Sequence, residues 1–305
     1  MITKSSTSHL GGAFLYIQQQ SKTHILKILD KQNERGSFMT NTKAIIVASF
    51  GSTFDETRKH DIGGIEKAIA DAFPAYDQYR AFSSETVRKR LGERGIKINN
   101  IEETLELLLA RKYEEVILQP THLLHGEEFE KKILTLQEKY SHCFKKMLIS
   151  RPLICDDEDY QLIAKALADF FPPLNNKEGV VLMGHGSPRP NNKSFHYTYI
   201  KLQKIFDELQ LPVVVGTVEE KDEPNLDAVL KVLQKHNYTK VHMYPLMVVA
   251  GDHANNDMYG PEPDSWKSQI EALGIATEGH LTGIGRYSSI QNLYIQHIVQ
   301  LLSAL

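Results

Sequence analysis

Short apolar runs alternate along this chain with longer stretches in which apolar residues recur every three or four positions. The short runs, of which residues 44–48 and 180–183 are the clearest, are rich in aliphatic side chains and are followed closely by Gly or Ser. Such runs are typical of buried parallel strands. The longer stretches have helical spacing, as at Ile62, Ile65 and Ile69. The pattern therefore predicts an α/β fold in which strands and helices alternate.

The same pattern predicts the order of the elements. The predicted strands are the run that ends at Phe50 and residues 76–82, 115–118, 146–149, 180–183, 212–218, 240–243 and 276–281. The predicted helices cover residues 56–72, 85–92, 101–112, 126–140, 157–171, 191–209, 224–236, 266–273 and 287–304. Strands that alternate with helices favour parallel sheets covered by helices.

The two halves of the chain match each other at three places, in the same order. Residues 44–52 align with 179–187, residues 80–83 with 216–219, and residues 113–120 with 238–245. We infer an internal duplication that produces two similar, doubly wound parallel-sheet domains, which face one another across a central cleft. The N-terminal α/β domain is placed at residues 41–174 and the C-terminal domain at residues 175–305, with the last helix able to pack back on the N-terminal domain.

The bulk composition narrows the class of protein. A length of 305 residues suffices for two domains of about 130 residues each. A net charge of −3, with acids and bases interspersed, gives no basic field of the kind that attracts nucleic acid. Cys143 and Cys155 lack a paired spacing, which suits a reducing cytosol and argues against a thiolate metal site. No apolar stretch approaches the roughly 20 residues that span a bilayer. We therefore expect a cytoplasmic protein with neither nucleic acid nor membrane as a partner, and the sequence leaves its oligomeric state open.

Residues 1–40 differ from the rest of the chain. They are rich in Ser, Thr, Gln and Lys, and their apolar cluster at residues 13–17 is too short for a secretory signal. Met39 stands just before the first predicted strand. We expect either a poorly ordered N-terminal extension or a start assigned too far upstream.

The two halves differ most in chemistry at three aligned positions, each of which follows an apolar run. Phe50 aligns with His185, Ser83 with Glu219, and Glu128 with His253. Open α/β sheets bind ligands at the edge where their strands end, so the second half gathers two imidazoles and one carboxylate at one rim. This donor set suits Co²⁺, Fe²⁺, Ni²⁺ or Zn²⁺, and three protein ligands leave coordination positions open. The sequence therefore predicts a metal site at His185, Glu219 and His253.

Each of these three residues also has a simpler interpretation. A histidine between two glycines, as at His185, is often only a hydrogen-bonding residue. His253 would be an exposed residue in the first turn of a helix that Asp252 caps. Glu219 begins an acidic loop, and such loops are usually solvated surface. The joint occurrence of the three residues favours the metal site.

A further signal comes from seven segments spread over the chain beyond the N-terminal extension. They are residues 49–52, 80–84, 119–122, 184–186, 216–219, 245–258 and 264–267. Together they resemble the anaerobic cobalt chelatase family, the sirohydrochlorin cobaltochelatases of vitamin B12 synthesis, and the segment around His253 is the most specific of them. The resemblance implies insertion of Co²⁺, as a substrate, into sirohydrochlorin with release of two protons and without an organic cofactor. It also implies that His185, Glu219 and His253 bind the metal and that His185 accepts a proton.

The replacements at the three aligned positions indicate that the N-terminal domain forms a wall for the tetrapyrrole while the C-terminal domain holds the metal. The candidate substrate-binding residues are Phe50, Gly51, Ser52, Arg80, Ser83, His122 and Arg189. Phe50 offers a flat apolar surface to the ring. Arg80 and Arg189 lie near predicted strand ends, where a guanidinium can pair both oxygens of a substrate carboxylate. The alternatives are a core Phe50, solvated arginines and a buried, hydrogen-bonded His122.

Two other functions fit the same sequence. A chelatase of the same fold could insert Fe²⁺ into sirohydrochlorin or protoporphyrin, because the donor set does not distinguish Co²⁺ from Fe²⁺ or Ni²⁺. Sirohydrochlorin, an octacarboxylate, suits a rim with Arg and Lys better than protoporphyrin, which has two carboxylates. A non-catalytic protein could instead close its two lobes on a metal or a tetrapyrrole without any reaction.

Overall fold

The computed structural model describes residues 41–186 and 197–305. Its strands, numbered in chain order, are β1 (Lys43–Ser49), β2 (Asp77–Phe82), β3 (Glu115–Pro120), β4 (Lys146–Ile149), β5 (Glu178–Gly184), β6 (Val213–Thr217), β7 (Lys240–Leu246) and β8 (Ala276–Gly279). Each of the eight predicted strands is present. The predicted N-terminal extension, the start of the predicted helix 191–209 and the candidate residue Arg189 lie outside the described residues.

The helices that cover the sheets follow the predicted order. They are α1 (Gly63–Ala72), α2 (Glu85–Glu93), α3 (Ile101–Ala110), α4 (Thr135–Tyr140), α5 (Asp157–Ala168), α6 (Thr198–Glu208), α7 (Leu226–Lys235), α8 (Trp266–Glu271) and α9 (Ser288–Ser303). Short helical segments lead into α1 (Asp55–Thr57, Arg58–Ile62) and into α4 (Glu127–Phe129, Glu130–Leu134). Across residues 41–186 and 197–305, the helices lack the combination of length and apolar character that crossing a membrane requires.

One helix ends earlier than its apolar spacing predicts. The predicted helix 157–171 ends at Ala168. The rings of Phe170 and Phe171 pack against Tyr244 on β7, at centroid distances of 5.7 and 5.5 Å. Packing two aromatic rings stabilises the chain more than three further residues of helix would. The helical pattern could not show this ending, because the packing partner is distant in sequence.

The strand order is the same in both sheets. It is β2-β1-β3-β4 in the first and β6-β5-β7-β8 in the second, with parallel pairing throughout. The predicted α/β fold with two similar parallel sheets is therefore confirmed, and the shared order supports an internal duplication. Ser49 at the end of β1 pairs with Phe82 on β2, and Gly184 at the end of β5 pairs with Thr217 and Leu246. Neighbouring strands thus end at the same edge of each sheet.

One apolar core joins the two halves. It is built from one face of each sheet together with α1, α5, α6 and α9. The opposite faces have separate cores, in which α3 and α4 cover the first sheet and α7 and α8 cover the second. The last helix, α9, packs against α1, and Tyr294 Oη donates a hydrogen bond to the Thr121 carbonyl at 2.7 Å. Helix α9 therefore contacts the first half and fixes the two sheets relative to one another.

Candidate functional site

The strand ends of the two halves border one cleft. Its volume of about 500 Å³ lies within the usual range of small-molecule sites, about 300–1,000 Å³. Candidate residues from both halves line it: Phe50, Gly51, Ser52, His122, His185 and His253. Apolar side chains form much of the remaining wall, among them Phe54, Leu124 and Met247. The structure therefore brings most of the predicted site residues together.

His185 stands directly after β5, where the chain turns sharply. The next residue, Gly186, has a φ of +78°, and a Cβ there would lie 2.9 Å from Cβ of Thr217 and 3.1 Å from Cβ of Glu219. Only glycine fits this turn. His185 is exposed to the cleft, and its Nδ1 donates a hydrogen bond to the Gly186 carbonyl at 3.0 Å. This contact leaves Nε2 available to a metal ion or a proton.

His253 lies in a helical turn that continues as Ala254–Met258. Its Nδ1 stands 2.7 Å from Oδ2 of Asp257. A carboxylate in this position fixes the orientation of the ring and leaves Nε2 available as a ligand atom. The ring centroids of His185 and His253 are 4.8 Å apart, with an interplanar angle of 88°. The two imidazoles therefore border the same small volume of the cleft.

Glu219 follows β6 and contacts His185 through the backbone. Its N–H donates to the His185 carbonyl at 3.3 Å. The side chain is half-buried and is not part of the cleft lining. Among residues 41–186 and 197–305, one group of three candidate ligands has donor atoms that all lie within 4.8 Å of one another, and it does not include Glu219. The Glu219 carboxylate would have to rotate toward the two histidines to complete a set with them.

The aligned positions of the first half also come together. Ser83 Oγ donates to Oε1 of Glu128 at 2.6 Å, and Lys132 Nζ lies 3.4 Å from the same oxygen. Phe50 is 49% exposed and lines the cleft, so the alternative of a core Phe50 is wrong. The first half thus presents an aromatic ring and a paired carboxylate where the second half presents two imidazoles.

His122 is largely buried at the wall of the cleft, with a side chain that is 12% exposed. Neither ring nitrogen has a hydrogen-bond partner among the described residues, and Oε2 of Glu128 stands 4.0 Å from Nε2. Burial lowers the pKa of His122, so the ring is neutral at pH 7. An unpaired buried polar group costs about 1–3 kcal/mol. A polar group of a ligand in the cleft would remove that cost.

The candidate arginines are placed differently from one another. Arg80 pairs with both carboxylate oxygens of Glu66, with Nε at 2.7 Å from Oε1, and it is not part of the cleft lining. The cleft is instead lined by Arg90 on α2, which is exposed and was not predicted. The sequence signal for Arg90 was weak, because residues 88–90 are all basic and only the rotation of the helix determines which of them faces the cleft.

Two residues of the first half hold the loop that leads to His253, and neither was predicted. The carboxylate of Asp61 is completely buried, accepts a hydrogen bond from the Ala250 N–H at 3.3 Å and pairs with Nε of Arg286 at 2.8 Å. Thr57 Oγ1 donates to the Ala250 carbonyl at 3.0 Å. The sequence signal for Asp61 was its position directly before the apolar stripe of a predicted helix. The first half therefore helps to position a histidine of the second.

Three comparisons relate this chain to known proteins. A family model described as cobalt chelatase (CbiK) matches residues 43–303. The sirohydrochlorin cobaltochelatase of Salmonella typhimurium is 34% identical over 262 residues, which cover 86% of this chain and 97% of that protein. The sirohydrochlorin cobaltochelatase CbiKC of Nitratidesulfovibrio vulgaris is 26% identical over 279 residues, or 91% of this chain and 96% of that protein. The structure of SirB from Bacillus subtilis with Fe³⁺ superposes with a TM-score of 0.57 at 15% identity, over 85% of this chain and 95% of that chain, which shows a shared fold.

Proposed function

This chain belongs to the cobalt chelatase (CbiK) family and is a metal chelatase, and on that premise we propose that it inserts Co²⁺ into sirohydrochlorin in the cleft between its two halves. The pair of imidazoles at the cleft carries this proposal, because His185 and His253 are adjacent and each has its Nδ1 engaged. Family membership decides against a non-catalytic binding protein. Since Cys143 and Cys155 are both free thiols, we place the reaction in a reducing cytoplasm.

In our proposal, the incoming ion is held by Nε2 of His185, Nε2 of His253 and the carboxylate of Glu219. The carboxylate reaches the ion by rotation of its side chain and compensates part of the positive charge as the ion loses water. Imidazole and carboxylate ligands suit a borderline divalent ion, and a set without thiolate binds it less tightly, which favours transfer. Because the same set accepts Fe²⁺ and Ni²⁺, we expect both of these ions to be inserted as well.

Insertion replaces two pyrrole N–H protons by the metal ion, so two protons must leave the ring. We assign the first transfer to Nε2 of His185, which becomes available as the ion moves to the ring nitrogens. Imidazole accepts and releases protons readily near neutral pH. His185 is exposed, so it can pass the first proton to solvent and then accept the second.

The tetrapyrrole is proposed to lie against Phe50, whose exposed ring forms part of the first-half wall, with residues 51–52 beside it. Arg90 offers a guanidinium to the substrate carboxylates, and within the described part of the chain it has no ion-pair partner. A neutral His122 has two unpaired ring nitrogens, and it donates its single ring N–H to the substrate. Arg189 remains a candidate for a further carboxylate contact.

The proposal is tested by the absorbance change of sirohydrochlorin on metal insertion. The initial rate with Co²⁺ is measured with and without the full chain and is then repeated with Fe²⁺, with Ni²⁺ and with protoporphyrin as the ring. We expect the chain to accelerate insertion into sirohydrochlorin and to leave protoporphyrin unchanged. His60→Ala, on a partly exposed turn outside the cleft, is the control variant. A rate with sirohydrochlorin no higher than the spontaneous one, or equal turnover of protoporphyrin, would contradict the proposal.

A further inference from the structure

A second group of ligand side chains lies on the outer part of the second sheet. His242 is in β7, Glu278 is in the edge strand β8, and His280 follows β8 directly. His242 and Glu278 are partners in the strand register, and the N–H of His280 donates to the Met243 carbonyl at 2.9 Å. Alternate residues of a strand point to the same face, so the three side chains meet on one face. None of the three is part of the cleft lining.

The donor atoms of these side chains have the spacing of a metal site. Nδ1 of His242 lies 3.2 Å from Nε2 of His280 and 3.7 Å from Oε2 of Glu278. Nε2 of His280 lies 3.6 Å from Oε1 of Glu278. Ligand atoms at tetrahedral angles around an ion, with bonds of about 2.0–2.2 Å, are about 3.3–3.6 Å apart. The three donors therefore need only small movements to coordinate one ion.

The surroundings of the cluster keep its donors in place and in the correct protonation state. The ring of His280 stacks on Tyr244, with centroids 4.2 Å apart and an interplanar angle of 2°. Burial lowers the pKa of His242 and of His280, so both imidazoles are neutral and can act as ligands at pH 7. Lys240 forms an ion pair with Glu278, which keeps the carboxylate ionised but competes with a cation for it.

We propose that His242 Nδ1, His280 Nε2 and Glu278 form a second site for a divalent transition-metal ion such as Zn²⁺ or Co²⁺, distinct from the cleft. Two imidazoles and one carboxylate suit ions of this class and leave one coordination position for water. The ion would tie the edge strand β8 to β7 and would not be passed to the tetrapyrrole. Without an ion, the same geometry is a hydrogen bond between two imidazoles, and the experiment must separate these two cases.

The full chain, without an affinity tag, is equilibrated with Zn²⁺, and the bound metal is counted per chain after dialysis. We expect two ions in the wild type, one of which is lost in His280→Phe, a change that keeps a flat ring on Tyr244. His253→Ala should lose the other ion, and the double variant should lose both. The matched control is His236→Phe, at another histidine that stacks on a tyrosine, and it should retain both ions. His280→Phe should also retain the wild-type rate of insertion into sirohydrochlorin.

Lys240→Met tests the same site through a gain of metal affinity, whereas His280→Phe tests it through a loss. Removing the ammonium that pairs with Glu278 should tighten binding of the ion that depends on His280, because the carboxylate no longer has a competing cation. Co²⁺ bound there should also give the intense visible absorption of a four-coordinate ion. In the His253→Ala background, which removes the ion of the cleft, this band should disappear when His280→Phe is added. An unchanged metal count in His280→Phe, or unchanged affinity in Lys240→Met, would overturn the second site and leave the cleft site unaffected.

Discussion

His185 combines two functions in our proposal, and substitutions can separate them. Its Nε2 is both a ligand of the incoming ion and the acceptor of a pyrrole proton, whereas Glu219 is a ligand only. We expect His185→Ala to lower the insertion rate at saturating Co²⁺ by about 10²–10⁴-fold, the usual effect of losing a general base, and Glu219→Gln to lower it less. Initial rates at saturating metal measure both effects. Near-normal turnover of His185→Ala would refute its assignment as the base.

The candidate metal ligands were predictable at the residue scale because an internal copy served as a reference. His185 and His253 stood out because Phe50 and Glu128 occupy the aligned positions, and the family resemblance pointed to the same residues. The orientation of the side chains was not predictable in this way. Asp257, for example, forms a hydrogen bond with His253. This contact depends on the path of the backbone in the helical turn, and an alignment of sequence segments does not contain that path.

His122 makes the stability of the chain depend on pH. Burial lowers its pKa in the folded state, while the unfolded value is about 6.5. As the pH falls below that value, the unfolded chain binds a proton that the folded chain does not, and the free energy of unfolding decreases. His122→Phe should therefore lose less stability than the wild type when urea unfolding is compared at pH about 7.5 and about 5.5.

His142→Phe, at an exposed position, is the matched control and should retain the wild-type pH dependence. If His122→Phe and the wild type lose the same stability over that range, the buried neutral state of His122 is wrong.

At the scale of elements, the turns that follow β1 and β5 position Phe50 and His185 at the cleft. Gly51 and Gly186 occupy aligned positions, and both have positive φ, at +102° and +78°. Gly274 also has a φ of +78°, but a Cβ there meets nothing within 4 Å. We expect Gly274→Ala to cost about 1–2 kcal/mol, the penalty for an L-residue in this conformation. Gly186→Ala should cost more, because its Cβ also collides with Thr217, and it should lower the insertion rate by displacing His185. Urea unfolding and the insertion assay measure these effects, and equal losses of stability would contradict the steric argument.

The elements were predictable wherever local pattern decides them, and not where a distant partner does. Apolar runs and helical spacing identified the eight strands of residues 41–186 and 197–305 and the order of the helices. They could not show that Arg80 near the end of β2 pairs with Glu66 on α1, because the partner is set by how the helix packs on the sheet. For the same reason they could not indicate that Arg90 faces the cleft.

At the scale of the whole molecule, the two halves form one body around the cleft. They share an apolar core, α9 packs on α1, and Asp61 and Thr57 of the first half hold the loop before His253. The walls of the cleft are therefore fixed relative to one another through several independent contacts. In our proposal, this arrangement lets the two halves have different functions, with the metal ligands on one wall and the ring-binding surface on the other.

The division of tasks predicts that Phe50→Ala weakens sirohydrochlorin binding without changing Co²⁺ affinity. The first half offers Glu128 but no imidazole at the positions aligned with His185 and His253. Ser83 and Lys132 already engage the Glu128 carboxylate, and His122 is the one imidazole beside it among the described residues, so this group should bind a transition ion weakly. Loss of a stacking ring should reduce tetrapyrrole affinity roughly tenfold, or about 1.4 kcal/mol, whereas Phe50→Tyr should retain most of it. Co²⁺ titration of the ring-free protein in the His280→Phe background reports on the cleft alone. If Phe50→Ala lowered Co²⁺ affinity there as much as His253→Ala does, or if a further tight site depended on Glu128, both walls would bind metal and the two halves would not have separate functions.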